Sequence, residues 1–417
     1  MVIRESYLKR IRPFYHQNLI KVIVGVRRCG KSVLLKQIRD DLISSGVSAS
    51  DIALINFESF EHKNLRDADQ LYQYLKNHIT ACEKAFILLD EIQLVEGFEE
   101  VVNSLHSEGE SSIFVTGSNS RLLAGELATL LSGRYVSFQV MPFNFREYVQ
   151  YRQENAGGLD YPHNFPFNYA PSPESFLQDY LRWGGFPLVC AQSEDDARYV
   201  VIDDLYTSIV LRDIMDRNNV AKGEPLQNVL NYLIANSSNF ISGKKIADTL
   251  TSSNQHISAT KVYEYLQFIQ DAFIVSLVEK YDISGKTPLK YEKKGFVCDL
   301  GLFHAKKNPS KNEFSHVVET VVYNELVSRG FRVYVGKTAR GEIDFVVMHG
   351  EKRCYIQVAY LMQDETTIER EFGAFDHVRD AYPKYVISMD PITRDINGVR
   401  HLRLYDFLTN SSLLTLG

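Results

Sequence analysis

Cysteine and long apolar runs are scarce in this sequence of 417 residues. The five cysteines are widely spaced and include no C-x-x-C pair, which argues against a disulfide framework or a zinc site. No stretch approaches the ~18 uninterrupted apolar residues of a membrane span, and the N-terminus has no apolar run of signal-peptide type. We therefore expect a cytoplasmic protein with no membrane partner.

An excess of positive charge is also missing. Lysine and arginine total 46 against 52 aspartates and glutamates, which gives a net charge of -6. Any surface that binds nucleic acid must therefore be a local patch, because the chain as a whole is not basic. The length predicts two or three domains.

Short apolar runs alternate with helical patterns in the first third of the chain. The runs are IKVIVGV, ALINF, AFILLD and SIFVTG, and SVLLKQIRDDLI and LYQYLKNHI lie between them. This alternation predicts an α/β fold with a parallel sheet covered by helices on both faces. Residues 1–150 are accordingly predicted to form a P-loop NTPase domain.

A phosphate-binding motif, G-x-x-x-x-G-K-S, follows the first predicted strand and opens a helix. Its glycines let successive N–H groups point at a phosphate, Lys31 can reach the β and γ oxygens, and the Ser32 hydroxyl can ligate Mg²⁺. The predicted nucleotide contacts are Gly25, Val26, Arg27, Arg28, Cys29, Gly30, Lys31, Ser32 and Val33. The predicted cofactors are therefore ATP or ADP and Mg²⁺.

Two acids end the third apolar run. Asp90 is predicted to hold the magnesium shell together with Ser32, and Glu91 to orient the attacking water. A helix cap after a buried strand is the alternative interpretation.

Polar residues also end the fourth run. Thr116 or Ser118 is predicted to sense the γ-phosphate, with Asn119 as third choice, although an ordinary turn would use the same residue types. Arg134 is a candidate for stabilising transition-state charge, in its own subunit or across a subunit boundary, and Arg121 is a weaker one. A solvated surface arginine is the alternative.

The rest of the chain is predicted to contain three parts. Residues 151–225 are interpreted as a linker and helical region, with a loop at 154–175 that is rich in Gly, Pro and Asn. Residues 226–312 read as a winged helix-turn-helix, and residues 313–417 as a small α/β domain. The lysines predicted to flank the winged helix or stand in its wing are Lys244, Lys245, Lys261, Lys286, Lys290, Lys293 and Lys294. They could neutralise DNA phosphates, but winged helices also dock proteins.

Several motifs together resemble a family of bacterial and archaeal AAA-type P-loop ATPases. They are GVRRCGKS, ILLDEIQ, VTGSNS, LSGR, MPFNFREY, YLRWGGFPLV and DLYTSIVLRDIMDR. The resemblance covers nearly the whole chain and supports the roles given to Lys31, Ser32, Asp90 and Glu91, and less directly that of Arg134. It also implies a winged-helix region after the ATPase, and a C-terminal domain with a restriction-endonuclease-like PD-(D/E)xK fold.

A nuclease of that type needs two acids and a lysine on neighbouring strands, and often a helix glutamate. Glu319 and Asp344 match the helix and first-strand acids, whereas Gln357 stands at the second acid and Ala359 at the lysine. The sequence therefore predicts a nuclease-like remnant without efficient cleavage. A purely structural domain is the alternative.

Lys352 or Arg353 could replace the missing lysine only from outside the motif. An active nuclease is therefore the least favoured function. The preferred prediction is a Mg²⁺-dependent ATPase that acts on DNA or on a DNA-associated partner. The alternative is an ATP-dependent switch or assembly protein with slow turnover and no nucleic-acid substrate, and a homo-oligomer is compatible with both.

Overall fold

The computed structural model describes residues 1–82, 84–120, 133–155, 173–253, 255–307, 314–339 and 341–417. These residues form two compact units. The first unit contains Val2–Val140 and Asp271–Phe273, and the second contains Met1, Met141–Gln270 and Ile274–Gly417. The division into four parts at 150, 225 and 312 stays a prediction.

The first unit is built on a five-stranded parallel sheet with the order β2-β3-β4-β1-β5. Its strands are β1 Ile20–Val24, β2 Ile52–Asn56, β3 Ala85–Asp90, β4 Ser111–Gly117 and β5 Tyr135–Gln139. Every residue of β1, β3 and β4 is buried, which explains why these strands are continuous apolar runs in the sequence. The edge strands β2 and β5 are only partly buried.

One helix precedes β1, and three helices follow β1, β2 and β3 in turn. They are α1 Glu5–Ile11, α2 Lys31–Ser44, α3 Ala68–Ala81 and α4 Phe98–Glu108. The Asp67 side chain accepts a hydrogen bond from Gln70 N–H and so caps α3, whereas α4 is bounded by left-handed Gly97 and Gly109. All four strands and both helices predicted here are present, and β5 is the strand that the sequence reading omitted.

The second unit begins with helices. They are α5 Phe145–Glu154, α6 Pro173–Trp183, α7 Pro187–Cys190, α8 Asp195–Ser208, a π-helix at Ile209–Asp216, and α9 Gly223–Ala235. Most of the predicted loop at 154–175 lies outside the described residues. An Asn144–Glu147 capping box starts α5, since each side chain accepts a hydrogen bond from the other residue's backbone N–H.

An eight-stranded mixed sheet occupies the rest of the second unit, in the order β13-β12-β11-β10-β9-β7-β8-β6. Its strands are β6 Asn239–Ile241, β7 Val275–Asp282, β8 Thr287–Val297, β9 Arg332–Lys337, β10 Glu342–His349, β11 Lys352–Val358, β12 Lys384–Ser388 and β13 Arg400–Arg403. The accompanying helices are α10 Gly243–Ser252, α11 Ala259–Asp271, α12 Leu300–Lys306, α13 Phe314–Ser328, α14 Glu365–Gly373 and α15 Leu404–Thr409.

Strands β7 and β9 pair in parallel, so the segments before and after residue 312 share one sheet. The predicted fold class is confirmed at the level of a parallel P-loop-type sheet followed by helical and α/β regions. No helix in the described part of the chain is long and apolar enough to cross a membrane. All five cysteines are free thiols.

Candidate functional site

The loop between β1 and α2 has the backbone that its glycines require. Gly25 has φ +154°, and a Cβ there would lie 2.1 Å from the carbonyl oxygen of Val140. Gly30 has φ +103° and directly precedes the first residue of α2. Larger residues would clash at the first position and be strained at the second, so the loop curls tightly at the helix N-terminus.

Lys31 points back across this loop. Its Nζ donates hydrogen bonds to the carbonyl oxygens of Gly25 at 3.0 Å and Val26 at 3.2 Å. The same atom lies 3.8 Å from Oε1 of Glu91, and both side chains are nearly buried. The structure therefore brings together the lysine of the motif and Glu91, the acid that directly follows β3.

Asp90 and Thr116 connect the ends of two neighbouring strands. Thr116 Oγ1 donates to Asp90 Oδ1 at 2.6 Å and accepts from the backbone N–H of Glu91 at 2.9 Å. Burial raises the pKa of Asp90, and hydrogen bonds from Thr116 and Ser32 oppose that rise. Ser32 and Asp90, the two predicted magnesium ligands, are thus in contact.

Thr116 lies directly beside the two acids, and its role in sensing the γ-phosphate stays a prediction. Because its hydroxyl bonds both to Asp90 and to the backbone of Glu91, it holds the two acids in place. Ser118 and Asn119 are also buried at this end of β4. Arg121 lies outside the described residues.

Arg134 lies at the far end of the sheet from the phosphate-binding loop. Its carbonyl oxygen accepts from Ile20 N–H at the start of β1, and its guanidinium donates to Asn103 Oδ1 at 2.8 Å. The loop begins after Val24, about 16 Å away along a strand that rises ~3.3 Å per residue. This placement excludes a contact with the same chain's loop, and action across a subunit boundary stays a prediction.

Two residues at this site were missed in the sequence. Gln93 donates a short hydrogen bond to the carboxylate of Glu91. Arg4 is 1% exposed, donates from Nη1 to the carbonyl oxygen of Cys29 at 3.0 Å, and lies over the ring of Tyr7. Gln93 could have been found in the sequence, because it ends the ILLDEIQ motif that contains both acids. Nothing in the sequence around Arg4 indicates its contact with the loop.

The remaining motif side chains surround the loop. Arg27 is paired with Glu58 at 3.4 Å, and Arg28 adopts a positive φ of 62°. Cys29 is fully buried, and burial raises the pKa of its thiol. The thiol is therefore protonated at neutral pH and packs as a small apolar group.

In the second unit, the residues predicted as a nuclease remnant do converge. Val358 N–H donates to Asp344 Oδ2 at 2.8 Å, and Gln357 Oε1 accepts from Asp344 N–H at 3.3 Å. A cation lies at the centre of the group, because the ammonium of Lys294 on β8 makes a short ion pair with Glu319 and lies 3.7 Å from Asp344. The sequence analysis placed Lys294 in the wing and did not predict that it belongs to this cluster.

The position of Lys294 corrects one sequence prediction. Its side chain is 7% exposed and faces carboxylates, so it is not an exposed wing lysine that contacts DNA phosphates. Two other lysines that were predicted to contact DNA phosphates are also paired with acids. Lys261 lies 2.9 Å from Glu264, and Lys293 lies 3.7 Å from Glu279. Arg353 does not face the cluster either, because it donates to the hydroxyl of Tyr281.

Family models match two segments of the chain. One, described as an AAA domain, matches residues 17–149, and the other, described as a domain of unknown function (DUF8612), matches residues 174–313. An uncharacterized protein of Haemophilus influenzae is 35% identical over 410 residues, which cover 98% of each chain. The chain belongs to the same family as this protein.

A second relative is more distant in origin. An uncharacterized protein of Methanocaldococcus jannaschii is 31% identical over 93% of this chain and 85% of its own length. The family is therefore represented in both a bacterium and an archaeon. The AAA-type part of the expected resemblance is confirmed, since an AAA domain covers the parallel sheet and its P-loop.

Solved structures with detectable similarity are remote. Aeropyrum pernix ORC1 in complex with DNA is 12% identical, with a TM-score of 0.33 over 73% of this chain and 92% of its own. AMPPCP-bound DnaA from Aquifex aeolicus is 14% identical, with a TM-score of 0.32 over 64% of this chain and 86% of its own. At these values, no function is transferred from them.

Proposed function

We propose that this protein binds ATP with Mg²⁺ at the loop of residues 25–33 and hydrolyses it. The observation that carries the proposal is the contact between the two halves of the site. Lys31 at the helix N-terminus lies 3.8 Å from Glu91, and Asp90 accepts hydrogen bonds from Thr116 and Ser32. A chance P-loop match would not bring these groups together.

The side chains present suit a hydrated magnesium ion. Ser32 and Asp90 supply a hydroxyl and a carboxylate oxygen, the ligand types that Mg²⁺ accepts alongside phosphate oxygens and water. When bound, the ion would neutralise charge that develops on the β and γ phosphates. Lys31 would turn from the loop carbonyls to the phosphates, and Glu91 would orient the attacking water.

The first experiment separates binding from turnover. We expect Lys31→Ala to abolish measurable ATP affinity, because the loop loses its cation. We expect Glu91→Gln to keep the affinity and lower the hydrolysis rate by roughly 10²–10⁴-fold, the range of a positioned acid–base group. Nucleotide binding and phosphate release would be measured on the same samples, with Glu61→Gln, which changes an exposed glutamate, as the charge-matched control. Normal turnover in Glu91→Gln would overturn the assignment of Glu91.

The preferred partner is DNA or a DNA-associated protein. Support comes from the order of elements from α9 to β8, in which three helices and short β6 lead into the β7–β8 hairpin, as expected for a winged helix. DNA that stimulates ATP hydrolysis would support this assignment. No mobility shift of duplex or forked DNA at low salt would count against it, since phosphate contacts are strongest there.

A specific observation favours the alternative, a nucleotide-dependent switch. Lys261 and Lys293 are each paired with a glutamate and Lys294 is buried, so these three of the seven candidate lysines offer little free positive charge to phosphates. Among the described side chains, the exposed candidates that remain are Lys244, Lys245 and Lys286. A switch would change its mass in solution between the ADP and ATP states, with DNA leaving the hydrolysis rate unchanged.

We also propose that the cluster of Glu319, Asp344 and Gln357 belongs to a nuclease-like scaffold without efficient cleavage. Ala359, at the expected lysine position, can neither activate water nor stabilise a phosphate. The test is incubation of plasmid and single-stranded DNA with Mg²⁺ or Mn²⁺. Cleavage that disappears in Asp344→Ala would contradict this proposal.

A further inference from the structure

One lysine ammonium lies at the meeting point of three carboxylates in the second unit. Nζ of Lys294 makes a short ion pair with Glu319 and lies 3.2 Å from Glu342 Oε1 and 3.7 Å from Asp344 Oδ1. The three acids come from helix α13 and strand β10, whereas the lysine comes from β8. The three carboxylates that face Lys294 therefore come from two elements that follow β8 in the sequence.

The surrounding polar atoms are also engaged. Asp344 Oδ2 accepts from Val358 N–H, and Gln357 Nε2 donates to Glu371 Oε2 at 3.0 Å. Gln357 thus bridges Asp344 and Glu371 and offers no oxygen directed at a common centre. In this arrangement, with the ammonium between the acids, no three His, Cys, Asp or Glu side chains of the described residues are grouped so that they could hold one metal ion.

The cluster borders an open groove. A cavity of about 510 Å³ is lined in part by Glu342, Gln357 and Glu371, so solvent ions can reach its edge. A divalent ion would need oxygen ligands at roughly 2.0–2.6 Å. The ammonium of Lys294 occupies the point where the carboxylates of Glu319 and Asp344 approach each other, and its charge repels a second cation.

We propose that the ammonium of Lys294 is the resident cation of this carboxylate cluster and fills the position at which a divalent metal ion would otherwise bind. One positive charge from within the chain offsets part of the negative charge of the three acids, so the sheet keeps its acidic cluster without a metal ion. This inference does not depend on ATP binding, because its residues all lie in the second unit.

The test is Mn²⁺ binding to the nucleotide-free full chain, followed by electron paramagnetic resonance and calorimetry. Wild type should show no Mn²⁺ binding that is sensitive to Asp344→Asn. Lys294→Met keeps the length of the side chain but removes its charge, and it should gain about one Mn²⁺ per chain. The double variant Lys294→Met, Asp344→Asn should lose that ion again.

A neighbouring lysine provides the matched control. Lys293 is on the same strand but pairs with Glu279, so Lys293→Met should gain no Mn²⁺. Unpaired buried carboxylates destabilise a fold, so Lys294→Met alone could unfold the protein. The second variant, Lys294→Met, Glu319→Gln, removes one of the negative charges and should also gain one Mn²⁺ per chain. Mn²⁺ binding in wild type that Asp344→Asn removes would overturn the proposal. So would the lack of an Asp344-dependent gain in folded Lys294 variants.

Discussion

Lys21 is a buried lysine in β1 of the five-stranded parallel sheet, and its replacement by methionine should change how stability depends on pH. The side chain is fully buried in β1, where Nζ donates to Ser112 Oγ at 2.7 Å and to the carbonyl oxygen of Gln17 at 3.1 Å. Burial, with a smaller contribution from the charge of Lys84, lowers the pKa of Lys21 from 10.5 to about 7.

The sign of the effect follows from proton counting. Between pH 7 and pH 10.5 the unfolded chain binds a proton at Lys21 that the folded chain does not bind. The free energy of unfolding therefore rises with pH in this window, by about 1.4 kcal/mol per pH unit. Because the folded lysine is still partly protonated near pH 7, wild type should gain about 2 kcal/mol from pH 7 to pH 9 relative to Lys21→Met, which has no titrating group at this position.

The absolute difference at pH 7 is less informative. Methionine removes a charging cost of up to about 5 kcal/mol, obtained from the lowered pKa of Lys21. It also loses two hydrogen bonds to a charged group, at about 1.5–3 kcal/mol each. These effects nearly cancel, so the pH dependence is the diagnostic measurement.

The assay is urea unfolding of wild type and Lys21→Met between pH 6 and pH 9, with fluorescence and circular dichroism recorded in parallel. Lys36→Met, which removes an exposed lysine from α2, controls for the loss of one charge. A wild-type-minus-variant difference that stays constant between pH 7 and pH 9 would refute the reasoning.

Two further substitutions test close contacts. Gly184→Ala should destabilise the protein by about 3 kcal/mol, measured by urea unfolding, because the residue has φ +72° and its new Cβ would lie 2.0 Å from Asp299 Oδ1. Arg4→Met should weaken ATP binding by roughly ten- to hundredfold, measured by calorimetry, because the carbonyl oxygen of Cys29 loses a charged donor worth about 1.5–3 kcal/mol.

Each substitution has a control in the same unit. Gly373→Ala places its Cβ at 3.6 Å from Asp376, an ordinary contact, and should change stability by less than about 1 kcal/mol. Arg10 lies over the same Tyr7 ring as Arg4, and Arg10→Met should leave ATP affinity within about twofold. Equal destabilisation by Gly184→Ala and Gly373→Ala would contradict the proposed clash with Asp299. Equal loss of ATP affinity in Arg4→Met and Arg10→Met would contradict the role of the hydrogen bond to Cys29.

The tight loop between β1 and α2 was predictable because its requirements are local, and its role in phosphate binding stays a proposal. The glycine spacing, the lysine and the strand-to-helix context all lie within a dozen residues, and the structure shows the tight approach of Gly25 to Val140 that this spacing implies. Asp90 at the end of β3 and Glu91 directly after it could also be predicted, because a continuous apolar run ends in them. In contrast, Arg4 reaches the loop through a tertiary contact that no sequence period encodes.

Lys294 shows why other parts of the prediction failed. The sequence placed Lys293 and Lys294 together in a wing, but adjacent residues of a strand face opposite sides of a sheet. One member of such a pair must therefore face inward when that side is covered, and Lys294 is the one that meets Glu319. The short edge strand β5 was missed because YVSFQ has neither a continuous apolar run nor strict alternation.

The parallel pairing of β7 with β9 ties two parts of the sequence into one folding unit. Lys280, Tyr281 and Asp282 are in register with Val335, Gly336 and Lys337, so strands from both sides of residue 312 pair with each other. A shortened protein that ends near residue 312 would expose the backbone N–H and C=O groups along one edge of β7. Exposed strand edges promote aggregation. Biochemical dissection of this protein is therefore better done with point substitutions than with fragments.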